Sequence, residues 1–220
     1  MKTCLVIGIG RFGRHLCEDM AKLGNEIMAV DTREELLEGV LPYVTSAKIG
    51  DCTKEEVLKS LGIDNFDICF VCIGTNFQSS LEITSLLKEF GARYVVSKAS
   101  RDIHAKFLLR NGADKVIYPD RDIAEKMAIS YSSDNIFDYF ELENGYSIYE
   151  IRPLPEWVGK TILEVDVRKK YNINIVAVKP KGSSEMKMSI SPDYHFSKDE
   201  RLFILGHNDD IIRLTKKFKS

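Results

Sequence analysis

Through the first part of the chain, short apolar, β-branched runs alternate with stretches whose apolar residues recur every three or four positions. The run opening at Cys4 is followed by Phe12, Leu16, Met20 and Leu23 at helical spacing, and Gly24 is placed to end that helix. Strands are predicted for EIMAVD (26–31), AKIG (47–50), RYVVSKA (93–99) and KVIYP (115–119). DICFVCIG (67–74) does not alternate, as expected of a central parallel strand buried on both faces. Helices are predicted near Arg33–Glu38, after a capping box at Thr53-Lys54-Glu55-Glu56, and over 77–90, 103–109 and 120–130. Strand and helix in strict alternation predict an α/β fold, a Rossmann-like doubly wound parallel sheet.

Beyond about residue 130 the alternation stops. The stretch SSDNIFDYFELENGYS (132–147) reads as a polar connection flecked with aromatics. Short strand patterns follow at YSIYEIRPL (146–154), INIVAVK (173–179), MKMSI (186–190) and RLFILG (201–206). One helix is predicted near Ile162–Tyr171 and a last one over Asp210–Phe218. The expected division is a nucleotide-binding domain over 1–135 with a crossover helix at its end, a linker over 136–145, and a small α+β domain over 146–220.

Composition narrows the function classes. The 220 residues are 44% hydrophobic and 29% charged, an ordinary globular balance. A net charge of −2 offers no basic footprint, so no nucleic-acid partner is expected. No apolar run approaches the ~20 residues that span a bilayer, and MKTCLVIGIG lacks a signal-peptide pattern. A cytoplasmic location is therefore expected. Five cysteines, mostly in apolar segments, fit a reducing compartment.

The chemistry concentrates at Gly8-x-Gly10-x-x-Gly13, between the first predicted strand and helix. In such a turn the first glycine permits a tight bend and the second lets a phosphate approach the backbone. The third lets helix and strand pack closely. The helix N-terminus then presents free N–H groups and a positive dipole to the phosphates. Asp31, ending the second strand, is placed to accept the hydroxyls of an adenosine ribose and to disfavour a 2′-phosphate. Arg11 and Phe12 lie inside the loop; Arg11 reads either as a phosphate-binding fork or as a solvated side chain on the rim. Lys98, at the end of a predicted strand, either reaches the same phosphates or snorkels to solvent. Tyr94 and Lys98, four apart on a strand, are too distant for one proton relay. Cys69 and Cys72 point to opposite faces and cannot share a metal.

The motifs VIGIGRFG (6–13), AVD (29–31), GDCT (50–53), CIGTN (72–76), VSKA (96–99) and GADKVIYP (112–119) occur in this order. VRKKYNINIVAVKPKG (167–182), Pro192 and RLFILG (201–206) follow. In these motifs the chain resembles the RCK (regulator of conductance of potassium) family, most closely the cytosolic regulatory subunits of Ktr/Trk-type potassium uptake systems.

The resemblance implies a non-enzymatic N-terminal domain that binds ATP, ADP or NAD(H). Gly8, Gly10, Arg11, Phe12, Gly13, Asp31 and Lys98 belong to the implied site. Asp51 and Cys52 would meet the adenine edge, and Gly74 and Asn76 would line the ligand's flank. Arg11 would reach the ATP γ-phosphate across a dimer. Asp120 would help bind a divalent cation (Mg or Ca), although the family member with that role carries the longer Glu. Arg168, Asn174, Ile175 and Val176 fall where several relatives bind cyclic di-AMP. Asn172 replaces the family's usual glycine and tolerates the left-handed conformation. The resemblance further implies dimers, an octameric ring and a separate membrane potassium-translocating subunit, which ligand-dependent ring geometry would gate. An NAD-dependent dehydrogenase and an NADH-sensing transcription factor are the competing readings. Neither the acid/base pair of the first nor the basic recognition helix of the second is evident in the sequence.

Overall fold

The opening apolar run forms β1 (Thr3–Ile7), followed by α1 (Arg11–Lys22), β2 (Glu26–Asp31), α2 (Glu34–Glu38) and β3 (Ser46–Ile49). Next come α3 (Glu55–Lys59), β4 (Ile68–Val71), α4 (Phe77–Glu89), β5 (Val95–Lys98), α5 (Asp102–Arg110), β6 (Lys115–Ile117) and α6 (Pro119–Tyr131). The computed structural model describes residues 1–219; Ser220, the last residue of the second predicted domain, lies outside the described residues. The six strands are all parallel, in the order β3-β2-β1-β4-β5-β6, so the chain reverses its direction of winding between β1 and β4. This is the doubly wound sheet that the alternation predicts.

The two faces of the sheet explain why its central strands are continuously apolar. Leu5 and Ile7 of β1 pack with Val30, Cys69 and Val71 in one core layer. Val6 packs with Ile27, Ala29 and Cys72 in the other. Cys69 and Cys72 therefore belong to opposite layers, and all five thiols are free and buried. Gly24, at φ +79, ends α1 as expected, but Leu23 is 76% exposed and lies off the apolar face.

The chain divides into two compact units, Met1–Arg121 and the residues from Asp122 onward, with the division inside α6. The second unit carries β7 (Ile136–Glu141), β8 (Tyr146–Ile151), α7 (Ile162–Val165), α8 (Val167–Tyr171), β9 (Ile173–Lys179), β10 (Arg201–His207) and α9 (Asn208–Lys216). Its sheet is antiparallel, ordered β7-β8-β10-β9. Trp157, Ile151, Leu202 and Ile204 sit in its core with Ile173, Phe196 and Leu214.

Four local expectations need correction. Residues 136–145 are not a linker: β7 occupies most of them, pairs with β8 and buries Ile136. Interleaved acids and a register shift between Ile136 and Asp138 hide its alternation. MKMSI forms no strand; Met186 and Met188 are exposed, and Lys187 alone makes an isolated bridge to Val178. The helix over 162–171 is two short helices broken at Asp166, whose φ is +50. Thr53 is no cap. Its hydroxyl and N–H both go to Asp51 Oδ1, at 2.8 and 3.1 Å, leaving Lys54 as an unbonded N-cap for α3. The Asp51 carboxylate draws the Thr53 hydroxyl and N–H toward it, and α3 starts one residue later than the capping-box pattern implies.

Candidate functional site

At the C-terminal edge of the parallel sheet lies a cavity of about 790 Å³, large enough for a dinucleotide or nucleoside triphosphate. Its walls come from successive strand ends, as a doubly wound sheet dictates at the point where winding reverses. The turn after β1 gives Gly8, Gly10, Arg11 and Phe12; β2 gives Asp31; the turn after β3 gives Asp51 and Cys52. Gly74 and Asn76 follow β4, Lys98 ends β5, and Asp120 opens α6. Eleven predicted residues thus converge from positions up to 112 apart in the chain, counting from Gly8 to Asp120.

The glycines divide their work. Gly8 has φ +92, which a side chain would strain, and its N–H donates to the Val30 carbonyl at 2.8 Å. A Cβ at Gly10 would meet nothing within 4 Å, so this position leaves room beside the cavity. Gly13 does not line the cavity. A Cβ there would collide with the Gly8 carbonyl oxygen, so Gly13 serves the close packing of α1 on the turn.

Helix α1 has no side-chain cap and no acid in its first turn, and the Arg14 N–H donates back to the Gly10 carbonyl at 2.9 Å. Its leading N–H groups are left for an anion, and the helix dipole favours negative charge there. Asp31 stands beside this turn with its side chain 9% exposed. Its Oδ2 accepts the Ile9 N–H at 2.7 Å and its Oδ1 accepts the Arg33 N–H at 3.0 Å. The carboxylate therefore joins the first two strand ends and retains lone pairs for ribose hydroxyls.

Asp51 is held below the usual carboxylate range, chiefly by the Thr53 hydroxyl and then by the Thr53 N–H. It stays ionised at neutral pH and accepts only. Burial pushes the Cys52 and Cys72 thiols up to about 12, so both are unreactive apolar wall. Asn76 Oδ1 accepts the Ser79 N–H at 3.1 Å and caps α4. Lys98 Nζ stands 5.6 Å from the Phe12 ring centroid and would be 3.5 Å from a Cβ at Gly74. Neither Arg11 nor Lys98 makes an ion pair among the described residues, so both charges remain available to a ligand. Among the described residues no three His, Cys, Asp or Glu side chains gather as a metal group, at Asp120 or elsewhere.

The sequence reading missed Thr32, Arg33, Thr53, Thr75, Ser79 and Ser100, which also line the cavity. Five of them follow a strand end within a few residues, and the placement of ligands at strand ends was the signal that could have found them.

In the second unit a pocket of about 230 Å³ is lined by Arg168 and Ile175, with Ile162, Leu163, Ile190 and Pro192 among the others. Asn174 and Val176 are not among its lining residues, since neighbours on a strand point to opposite faces. Asn172 has φ +54, the left-handed conformation expected of it, and donates to Asp210 Oδ2 at 2.7 Å.

The TrkA-N domain family matches residues 4–119 and the TrkA-C domain family residues 146–219. The Ktr system potassium uptake protein C of Bacillus subtilis is 38% identical over 216 residues, covering 98% of this chain and 97% of that protein. This chain belongs to the RCK family, of the Ktr/Trk potassium uptake type. The fold of this RCK chain is also that of the GsuK channel, with a TM-score of 0.72 at 15% identity. That match covers 99% of this chain and 39% of the channel's. A GsuK channel bound to NAD is similar over the whole chain and 39% of its own, at a TM-score of 0.54 and 20% identity. Among the described residues no helix is long and apolar enough to cross a membrane.

Proposed function

We propose that this RCK chain is the adenine-nucleotide-sensing regulatory subunit of a potassium uptake system, and that it gates a separate membrane subunit from the cytoplasmic side. The observation that carries the reading is the uncapped N-terminus of α1 at a cavity that Asp31, bonded to the turn before that helix, also lines. Phosphates would take the first-turn N–H groups and the ribose would take Asp31, with the adenine toward Asp51 and Cys52. The carboxylates of Asp31 and Asp51 already accept backbone N–H groups, which suits fixed binding better than proton transfer. That favours a sensor over an enzyme.

Sensing requires a ligand that binds one conformation of the assembly better than another. ATP and ADP differ by one phosphate, and Arg11 is the charge placed to read it, reaching across a dimer. Asp120 would hold a divalent cation beside the phosphates. Arg168 and Ile175 would contact cyclic di-AMP at the second pocket, and the subunits would form dimers and an octameric ring. The NAD-bound GsuK channel favours a second reading, in which NAD(H) fills the same cavity and the chain senses redox state.

Parallel calorimetric titrations with ATP, ADP, NADH and NAD separate the two. Tight binding of ATP with clear discrimination against ADP supports energy-charge sensing through Arg11. Preference for NADH transfers the reading to redox sensing, and no binding of any of the four overturns both.

A further inference from the structure

His104 lies in α5, one layer behind the cavity, and no exposed surface remains on it. Its Nδ1 accepts the Ser100 N–H at 3.3 Å and lies 3.4 Å from the Ser100 hydroxyl. A ring nitrogen that accepts from a backbone N–H carries no proton itself, so the proton of the neutral ring is on Nε2. That Nε2 is buried and has no hydrogen-bond partner. Ser100 is the ring's one polar tether among the described residues.

The same ring touches Ser100, which lines the cavity, and Phe77, the neighbour in sequence of the lining residue Asn76. Phe77 tilts over His104 with ring centroids 4.8 Å apart, and it follows Asn76, another lining residue and the cap of α4. A second tether, from the Tyr118 hydroxyl to the Ser100 carbonyl at 2.5 Å, fixes the other end of that residue. We propose that His104 is a positioning residue for the nucleotide cavity: its neutral imidazole sets the Ser100 and Asn76 segments of the wall, and nucleotide binding weakens when the ring takes a proton. This inference rests on the nucleotide reading of the cavity.

Protonation puts a hydrogen on Nδ1, directly facing the Ser100 N–H. Two donors then oppose each other, and the buried charge adds this Nδ1–H to an Nε2–H that already lacks a partner. The Ser100 hydroxyl, 3.4 Å from Nδ1, can turn to accept from the protonated ring, but the Ser100 N–H still loses its acceptor. The guanidinium of Arg101, on the turn before α5, opposes a positive ring and packs 5.2 Å from the Phe77 centroid. From α4 the ring meets the uncharged Phe77, from the turn Ser100, and beyond it Tyr118. Burial first, and Arg101 second, hold His104 below its ordinary value. Its neutral form is therefore complete above the unfolded value near 6.5 and is lost as pH falls through the lowered folded value.

The experiment measures ADP affinity from pH 7.5 to 5.5 for the unmodified chain and for His104→Asn, whose side-chain oxygen can replace the Nδ1 acceptor without titrating. The ratio of the two affinities cancels the ionisation of ADP itself. In the same pH series, NMR follows the His104 ring and the Ser100 amide without ligand. The expected result is an affinity in His104→Asn that changes with pH only through the ionisation of ADP, and a further loss in the unmodified chain as pH falls, with Ser100 shifting in step with His104. A ratio that does not change with pH, or a Ser100 amide indifferent to His104 protonation, overturns the proposal. ADP binding to neither protein overturns the nucleotide reading itself, while the Ser100 amide still decides whether His104 sets that wall.

Discussion

The two units bury their cores in different ways, and their pockets differ accordingly. In the first, every strand is parallel, so all six C-terminal ends meet at one edge and deliver polar residues and backbone N–H groups there. In the second, neighbouring strands run in opposite directions, and no edge collects strand ends of one polarity. Its pocket is small and mostly aliphatic, with Arg168 and Asp166 as its charged lining residues. A parallel sheet makes a nucleotide-sized site almost as a by-product of its topology. An antiparallel one of this size has to recruit a partner surface or settle for a shallow contact.

The strongest way to break this comparison is to damage the second core alone. Trp157 is 1% exposed and packs on Phe196 and Tyr171, with centroids 5.3 and 5.2 Å away. Trp157→Ala is expected to cost roughly 3–5 kcal/mol in urea unfolding of the second unit. ADP affinity measured below that transition should stay within twofold. A parallel collapse of ADP binding would mean that the cavity depends on the antiparallel core.

Asp31→Ala attacks the other side. It removes the acceptor of the Ile9 and Arg33 N–H groups together with the ribose contact, and calorimetry should record about a hundredfold loss of adenine-nucleotide affinity. Unchanged affinity would remove Asp31 from the site. Arg11→Ala is subtler: it should narrow the ATP/ADP affinity ratio about tenfold and leave ADP nearly untouched, since only the last phosphate is lost to it. An unaltered ratio would return Arg11 to the rim as a solvated side chain. The smallest effect is expected at Asn172, where Ala should cost about 1 kcal/mol for the left-handed backbone. Asn172→Gly should restore the conformational part but not the bond to Asp210, which the urea midpoints of the two variants can separate.

Much of the first unit was legible because its signals are local. A continuous apolar run, a glycine triplet and an acid at the next strand end each state a backbone requirement within a few residues. The second unit was harder to read for the opposite reason. In β7, aromatic and acidic residues alternate imperfectly across a bulge, and the partner that makes it a strand lies in β8. MKMSI carries a strand-like pattern, yet no neighbour offers it a ladder.

The sequence alone determined the parallel architecture, the loop that cradles an anion and the acid beside it, because period and turn chemistry are properties of short segments. Only the tertiary structure decided which residues share the cavity. Gly13 left it for a packing role, while Ser100, Thr75 and Thr32 entered it. It also decided that Thr53 serves Asp51 rather than α3, and that His104 is sealed behind the wall with one nitrogen unpaired. Such outcomes depend on which groups meet across tens of residues and on how much water is excluded when they do. Neither quantity is written in the spacing of side chains along the chain.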